Sequence, residues 1–325
     1  MKVDPFVQAR SKDWKRFEEI VYTLQSRTFR RQKATDRKAA DEFPRAYRRL
    51  TRDLALARER DFDPALIDRL NSLARSGHQL LHQDRTSLLG SIGRFIVRDF
   101  PRAVRRDKVE VAWAHLAFWG PFLFMLVMGQ LRPEWITSVV GVSTERAIEE
   151  MYDPANRTPG SPDGESRFVM FGFYIFNNIG IGLKTFGLGI LFGIGSILIL
   201  VFNGTVIGAL FAHALNLGFH STFLPFVSGH GSFELTAICL SGAAGLKFGS
   251  ALVNPGRRSR KRALVESGRE AVTVLYGAVL FLVIAALIEG FWSPSGAPAT
   301  YKYVVGGVNW ALVAAYLLFC GRGDA

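Results

Sequence analysis

Cysteine is scarce in this sequence. Only two occur in 325 residues, Cys239 and Cys320, and both lie within apolar segments. One chain therefore cannot build a disulfide framework or a four-cysteine zinc site. The sequence also lacks an HExxH motif, a glycine-rich phosphate-binding loop and a recognisable catalytic pair of serine and histidine. We expect no cofactor and no metal site, and an enzymatic activity is not the favoured interpretation.

The first hundred residues lack a long apolar run. No stretch before Lys108 could cross a bilayer, and the beginning, MKVDPFVQAR, does not resemble a secretory signal. We therefore expect the first spanning helix to act as the insertion signal and the preceding residues to stay in the cytoplasm. Lys and Arg are frequent there, so most of the net charge of +12 belongs to this region.

Residues 1–87 are interpreted as a basic, cytoplasmic helical region. Apolar residues recur at helical spacing in three segments: Trp14, Phe17, Ile20, Val21 and Leu24; Tyr47, Leu50 and Leu54; and Leu66, Ile67, Leu70 and Leu73. These amphipathic helices should pack into a small bundle. Their Arg-rich faces are either simply solvated or form a surface for lipid headgroups or a partner protein, and charge alone does not separate these readings. Nucleic acid is not an expected partner, because no binding motif is present.

Residues 88–107 have the pattern of an amphipathic helix lying in the membrane interface. One face carries Leu88, Leu89, Ile92, Phe95 and Ile96. The opposite face carries Arg94, Arg98, Arg102, Arg105 and Arg106. Anionic headgroups attract such cations, so we expect these five arginines to bind lipid headgroups.

Residues 108–325 alternate long apolar stretches with short polar ones and predict a transmembrane domain. A bilayer core needs about 20 apolar residues per helix, which gives about six spans, with five to seven as the range. The predicted spans cover residues 109–130, 168–183, 186–212, 223–252, 271–291 and 304–320. The fold class is therefore an all-α, polytopic membrane bundle.

Basic residues near the spans predict the orientation of the protein. They cluster before the first span and in the loop after the fourth, which carries Arg257, Arg258, Arg260, Lys261, Arg262 and Arg269. Both segments should face the cytoplasm, and with six spans both termini do so too. The acidic loop 131–167 then lies outside, where TERAIEEMYD predicts a short helix before a turn region rich in Pro and Gly.

Glycines four residues apart predict close helix packing within the membrane. The pairs are Gly189 and Gly193, Gly204 and Gly208, and Gly245 and Gly249. Small residues at this spacing let two helix backbones approach closely. A pore or substrate channel is the alternative, because glycines also let helices break near binding sites.

Five polar residues within the predicted spans form a candidate membrane-embedded cluster: Asn177, Asn178, Asn203, His230 and Glu234. Ionisable groups are costly in hydrocarbon and usually face the protein interior. His230 and Glu234 are four residues apart and share a helical face. The cluster either fixes helix register or passes a proton or small solute. Hydrolysis or metal binding is less favoured, since HGSFE supplies only two ligands where three are usual.

The membrane half resembles the stage II sporulation protein M family. The resemblance is carried by GILFGIGSILILVFNGTVIG, which contains Asn203, and by HGSFELTAICLSGAAGLKFG, which contains His230 and Glu234. The pair Asn177 and Asn178 and the lead-in RFIVRDFPRAVRR also fit. Family members commonly have proline before the histidine, where this chain has Gly229.

The resemblance implies a membrane protein that works through partners. The namesake acts with two proteins, one a peptidoglycan-degrading enzyme, in cell-wall remodelling, and relatives accompany a MoxR-type ATPase. We therefore expect a scaffold of an envelope assembly in the bacterial inner membrane, which forms homo-oligomers through its small-residue faces. The alternative is a transporter or channel that uses the polar cluster.

Overall fold

The computed structural model describes residues 3–25, 34–82, 88–155 and 164–322. Helices account for nearly all of these residues, and the described ranges contain no β-strand. The predicted all-α fold is confirmed. The chain divides into two compact units, Met1–Leu88 and Leu89–Ala325.

The N-terminal unit contains three helices: α1 (Val3–Gln25), α2 (Ala34–Glu59) and α3 (Pro64–His82). Helix α3 begins with proline, whose fixed φ suits the first helical position. The side chain of Asp63 accepts a hydrogen bond from the Ala65 amide at 3.3 Å, as expected for a residue that caps a helix. The start of α3 is thus encoded locally.

The core of the N-terminal unit confirms the predicted apolar positions. All twelve lie in it or pack against it, and Trp14 and Leu50 are 1% exposed. The structure adds three rings that the periodicity did not single out: Phe6, Phe43 and Phe62. The indole Nε1 of Trp14 donates a hydrogen bond to Asp53 Oδ2 at 3.0 Å, which joins α1 to α2.

The second unit contains eleven α-helices within the described ranges. They are α4 (Leu88–Arg94), α5 (Phe100–Arg106), α6 (Lys108–Leu131), α7 (Glu134–Val140), α8 (Val142–Tyr152), α9 (Gly164–Gly187), α10 (Ile194–Asn216), α11 (Phe223–Ser228), α12 (Gly231–Val253), α13 (Arg260–Leu287) and α14 (Ala299–Phe319). Turns of π-helix at Phe95–Asp99 and Ile288–Trp292 follow α4 and α13. Turns of 3₁₀-helix occupy Leu188–Ile190 and Phe219–Ser221.

Among the residues that the structure describes, five helices are long and apolar enough to cross a membrane: α6, α10, α12, α13 with its π-helical turn, and α14. The helix at the predicted second span, α9, contains Asn177 and Asn178 and falls short of that apolarity. It nevertheless runs along the bundle, because Phe168 packs on Phe291 at one end and Phe186 packs on Phe248 at the other. A sixth crossing by α9 remains a prediction.

Helix α12 is the centre of the bundle. It packs against α6, α9, α10, α13 and α14, and 67% of its most apolar stretch is buried, against 17% for α14. The surrounding helices turn large apolar side chains outward, among them Leu123, Phe176, Phe202 and Leu312. An apolar exterior around a packed centre is the arrangement that a lipid environment favours, because lipid tails solvate such side chains.

Two predicted spans are wrong in their extent, because each is interrupted. The span predicted from residue 186 starts with a turn through Gly193, whose φ is +82°, and α10 begins only at Ile194. The span predicted from residue 223 breaks at Gly229 and His230 into α11 and α12. The break exposes the backbone carbonyl of Gly229. The side-chain amide of Asn309, in α14, donates a hydrogen bond to this carbonyl at 2.8 Å.

The glycines of the three pairs lie where helices cross closely. A Cβ added at Gly204 would meet the backbone oxygen of Phe118, and one at Gly208 would meet that of Phe122, where α10 crosses α6. Gly245 and Gly249 bring α12 against the turn that holds Gly189 and Gly193, and Gly245 also contacts Ser196. At most of these glycines the atoms that an added Cβ would meet belong to the backbone, so rotating a side chain could not make room for a larger residue.

Three of the five interfacial arginines have partners within the protein, and headgroup binding by all five stays a prediction. Arg102 donates to the carbonyl of Gly321 at 2.6 Å, and Arg105 donates to that of Leu317 at 2.7 Å. Carbonyls at a helix C-terminus have no partners within the helix and attract cations, so these arginines fasten α5 to the end of α14. Arg106 pairs with Asp107 at 2.9 Å. Arg94 and Arg98 are exposed, and their headgroup contact stays a prediction.

Asp107, between α5 and α6, is the centre of a buried charge network. Its carboxylate lies 2.9 Å from Arg106 and 3.0 Å from Lys247 of α12, and Lys247 lies 3.4 Å from Glu270 of α13. Burial alone would raise the pKa of the Asp107 carboxyl, but hydrogen bonds from Arg106 and Lys247 outweigh it and hold that pKa below its usual range. The network ties the lead-in segment to two helices of the bundle.

The loop predicted over residues 131–167 contains two helices. Helix α8 confirms the short helix predicted from TERAIEEMYD, whereas α7 was not predicted. Tyr152 at the end of α8 packs edge-on against Phe223 and Phe226 of α11. The α7 and α8 segment therefore covers the end of the bundle opposite to α5. Residues 156–163, most of the predicted Pro/Gly turn region, lie outside the described residues.

Candidate functional site

Three ionisable side chains meet near the end of the bundle that α8 covers. His230 immediately precedes α12, Glu234 stands one turn later, and Glu289 belongs to the π-helical turn after α13. His230 Nε2 lies 3.5 Å from Glu234 Oε2. One potential ligand atom from each residue lies within 4.8 Å of the other two. We call these three residues the His-Glu-Glu cluster.

The helix break before α12 positions the histidine. His230 is 3% exposed, and the ring of Phe226 packs edge-on against its imidazole at 5.6 Å. Its Nδ1 lies 3.1 Å from the hydroxyl oxygen of Ser293. When Nδ1 carries the proton and donates it to Ser293, the lone pair of Nε2 faces Glu234.

A buried lysine holds the segment that carries Ser293. The ammonium group of Lys302, at the start of α14, donates to the backbone oxygens of Ser293 and Ser295 at 2.7 and 2.8 Å. The backbone oxygen of Lys302 in turn accepts from the hydroxyl of Ser228 at 3.1 Å. The end of α13, the start of α14 and the break before α12 are thereby joined around the imidazole.

The two adjacent asparagines of α9 reach the cluster in series. Asn177 donates to the side-chain oxygen of Asn178 at 3.0 Å, and Asn178 donates to Glu289 Oε2 at 3.5 Å. Of the five residues predicted for the embedded cluster, the structure therefore connects four, with His230 and Glu234 as the second pair. The amide of Asn203 instead donates to the Ile199 oxygen of its own helix at 2.8 Å.

Sequence reasoning missed Glu289, Ser293 and Lys302. Glu289 was visible as the only carboxylate within the predicted span 271–291, and an ionisable residue within a span is a signal of function. Glu289 is more than fifty residues from Glu234 in the sequence, so no local pattern indicated that the two side chains lie close together. The HGSFE segment supplies two potential ligands, and the π-helical turn after α13 adds a third.

A cavity of about 170 Å³ adjoins the cluster. Glu289 is part of its wall, together with Arg167 and Tyr174 of α9, Phe226 of α11 and Met151 of α8. The wall is mostly apolar, and Glu289, Arg167 and Tyr174 are its polar residues. A small polar ligand or water molecules would therefore meet the carboxylate at this wall.

Two family profiles match the chain in separate places. One, described as a domain of unknown function (DUF8413), matches residues 4–83, within the N-terminal unit. The other, described as stage II sporulation protein M, matches residues 116–294. No curated protein and no solved structure matches the chain. The second match covers more than half of the chain and includes all three residues of the His-Glu-Glu cluster, so this protein belongs to the stage II sporulation protein M family.

Proposed function

We propose that this protein is a membrane scaffold, in which a rigid body in the bilayer carries a separate docking domain for partners of an envelope assembly. The observation that carries the proposal is modularity: two compact units coincide with matches to two different families. The close backbone crossings at glycines support a body with fixed helix positions. The exposed apolar faces of the surrounding helices are where copies of the chain would associate.

The distribution of basic residues supports an orientation with both termini in the cytoplasm. Asp107 contacts Lys247, and Lys247 contacts Glu270, so α5 and the α12–α13 loop share one end of the bundle. That loop carries Arg257, Arg258, Arg260, Lys261 and Arg262. Cytoplasmic loops are enriched in such residues, which favours placing this end inside and α7 and α8 outside a bacterial inner membrane.

A groove on the N-terminal unit is the proposed docking surface. Its volume is about 200 Å³, with Trp14, Ile20 and Leu50 at the base and charged residues around them: Asp13, Arg16, Glu42, Arg45, Arg49 and Asp53. An apolar base with a charged rim resembles the anatomy of protein interfaces. The resemblance of the membrane half points to an ATPase of the MoxR type as a candidate on this side, and to a cell-wall hydrolase on the other.

Photo-crosslinking in the native membrane tests the docking surface. A photoreactive residue in place of Ala46, at the groove, should crosslink the full-length chain to a partner protein. The double variant Arg45→Glu, Arg49→Glu should lose this product, because the rim changes from a balance of three acidic and three basic residues to a strongly acidic one. Arg75→Glu, on the exposed side of α3, is the matched control and should keep the product. Crosslinks that persist in the double variant would contradict the groove as the docking surface.

Translocation is the second candidate function, and the His-Glu-Glu cluster favours it. A buried histidine and two carboxylates, connected to Asn178, are the components of a proton or solute pathway. In proteoliposomes under a pH gradient, a scaffold should give no flux of protons or monovalent cations, either as wild type or as Glu234→Gln. If the wild type shows a flux that the folded Glu234→Gln variant loses, the protein is a transporter and not a scaffold.

A further inference from the structure

We propose that His230, Glu234 and Glu289 bind one divalent transition-metal ion of the Zn²⁺ class. This inference goes beyond the scaffold function and does not depend on it. One imidazole nitrogen and two carboxylate oxygens are a ligand set that zinc accepts. In a tetrahedral zinc site, neighbouring ligand atoms are roughly 3.4 Å apart, given bonds of about 2.1 Å. His230 Nε2 and Glu234 Oε2 are already 3.5 Å apart.

Electrostatics favours a cation at this position. Glu234 and Glu289 bring two carboxylates together in a largely buried place, where their repulsion is weakly screened. The neighbours that contact these carboxylates are the imidazole of His230, 3.5 Å from Glu234, and the uncharged amide of Asn178, which donates to Glu289 at 3.5 Å. A divalent ion would balance both carboxylates while the imidazole stays neutral.

The surroundings of the three ligands have the organisation of a metal site. Histidines that bind a metal almost always hydrogen-bond through the other ring nitrogen, and His230 Nδ1 does so with Ser293 Oγ at 3.1 Å. Ser293 is fully buried and its backbone is held by Lys302. Asn178 supports the carboxylate of Glu289. These partners would keep the ligands oriented before the ion arrives.

The cavity beside Glu289 has room for a water molecule at the remaining coordination position of the ion. Three protein ligands leave a tetrahedral ion with one open position, which a water molecule usually occupies. The adjoining volume of about 170 Å³ is large enough for several waters. Glu289 belongs both to the cluster and to the wall of this cavity, so the cavity adjoins the proposed position of the ion.

Metal titration of the purified full-length protein tests the proposal. The chain, purified in detergent through a tag without histidine, is stripped with chelator and titrated with Zn²⁺ and separately with Co²⁺. We expect one ion per chain, an increase in the unfolding temperature on zinc addition, and the visible absorption of a low-symmetry Co²⁺ site. Glu234→Gln and Glu289→Gln, which keep shape but lose charge, should bind Zn²⁺ at least about 100-fold more weakly, and Ser293→Ala about 10-fold more weakly.

The chain offers a matched control in a second pair of histidine and glutamate. His213 Nε2 lies 3.3 Å from Glu149 Oε1, so Glu149→Gln removes a comparable carboxylate without touching the cluster. This variant should bind Zn²⁺ like the wild type. If folded wild type binds less than one ion per chain with no Co²⁺ absorption, the proposal is wrong. Unchanged affinity in Glu289→Gln would overturn it as well, and the wild-type titration decides the matter should the variants not fold.

Discussion

Replacing Gly204 with leucine is expected to prevent the membrane unit from folding. A Cβ at this position would meet the backbone oxygen of Phe118, so even the first side-chain atom has no room. Phe118 is itself fully buried, and Gly208 makes the same contact with the oxygen of Phe122 one turn later. Relief would require α6 and α10 to separate along their whole crossing. The smaller change Gly204→Ala should cost about 3 kcal/mol, the upper range for overpacking.

The matched control is Gly180→Leu in α9, where an added Cβ has no neighbour within 4 Å. Both glycines lie within helices, so the gain in helix propensity from losing glycine is common to both substitutions. The measurement is the fraction recovered as a monodisperse species in detergent, with thermal unfolding of what is recovered. We expect Gly180→Leu to behave like the wild type. Equal recovery of the two variants would contradict the close crossing of α6 and α10.

Replacing Asp107 with asparagine is expected to cost about 3 kcal/mol of unfolding free energy, the size of effect seen when a buried ion pair loses one partner. The side chain of Asp107 is 3% exposed, and the change leaves Arg106 and Lys247 without their common carboxylate. Glu270 remains near both cations, at 3.6 and 3.4 Å, which limits the loss. Thermal unfolding in detergent at pH 7 measures the effect.

The same carboxylate predicts a pH dependence with a definite sign. Because contacts with cations lower the pKa of Asp107 in the folded state, its stabilising contribution is fully present above the unfolded pKa of about 3.9. The contribution disappears as the pH falls through the lower folded value. The difference between wild type and Asp107→Asn should therefore be constant near neutral pH and shrink below about pH 4. Asp99→Asn, which changes an exposed aspartate on the same segment, is the matched control and should unfold like the wild type at pH 7.

Patterns that repeat over short distances were sufficient for much of the architecture. The spacing of Trp14, Phe17 and Leu70 identified the core of the N-terminal unit, because a helix places residues three and four apart on one face whatever surrounds it. The glycine pairs identified close crossings for a similar reason, although they did not say which helices cross. The contact between His230 and Glu234 followed from their separation of four residues.

Sequence patterns could not identify contacts between segments far apart in the chain. Arg102 and Arg105 have the pattern of a headgroup-binding face, and that pattern gave no sign that they donate to the carbonyls of Gly321 and Leu317 at the end of α14. Asn203 was grouped with the cluster as a polar residue within a predicted span, and its side-chain amide donates to the Ile199 oxygen of its own helix.

Local periodicity, apolar length and charge thus determine the positions of the helices, the membrane character of the protein and the pairing of His230 with Glu234. Glu289 and Ser293 lie beside His230 because of how α12, α13 and α14 pack together. That packing joins residues far apart in the chain, and spacing carries information only about neighbours along a single helix.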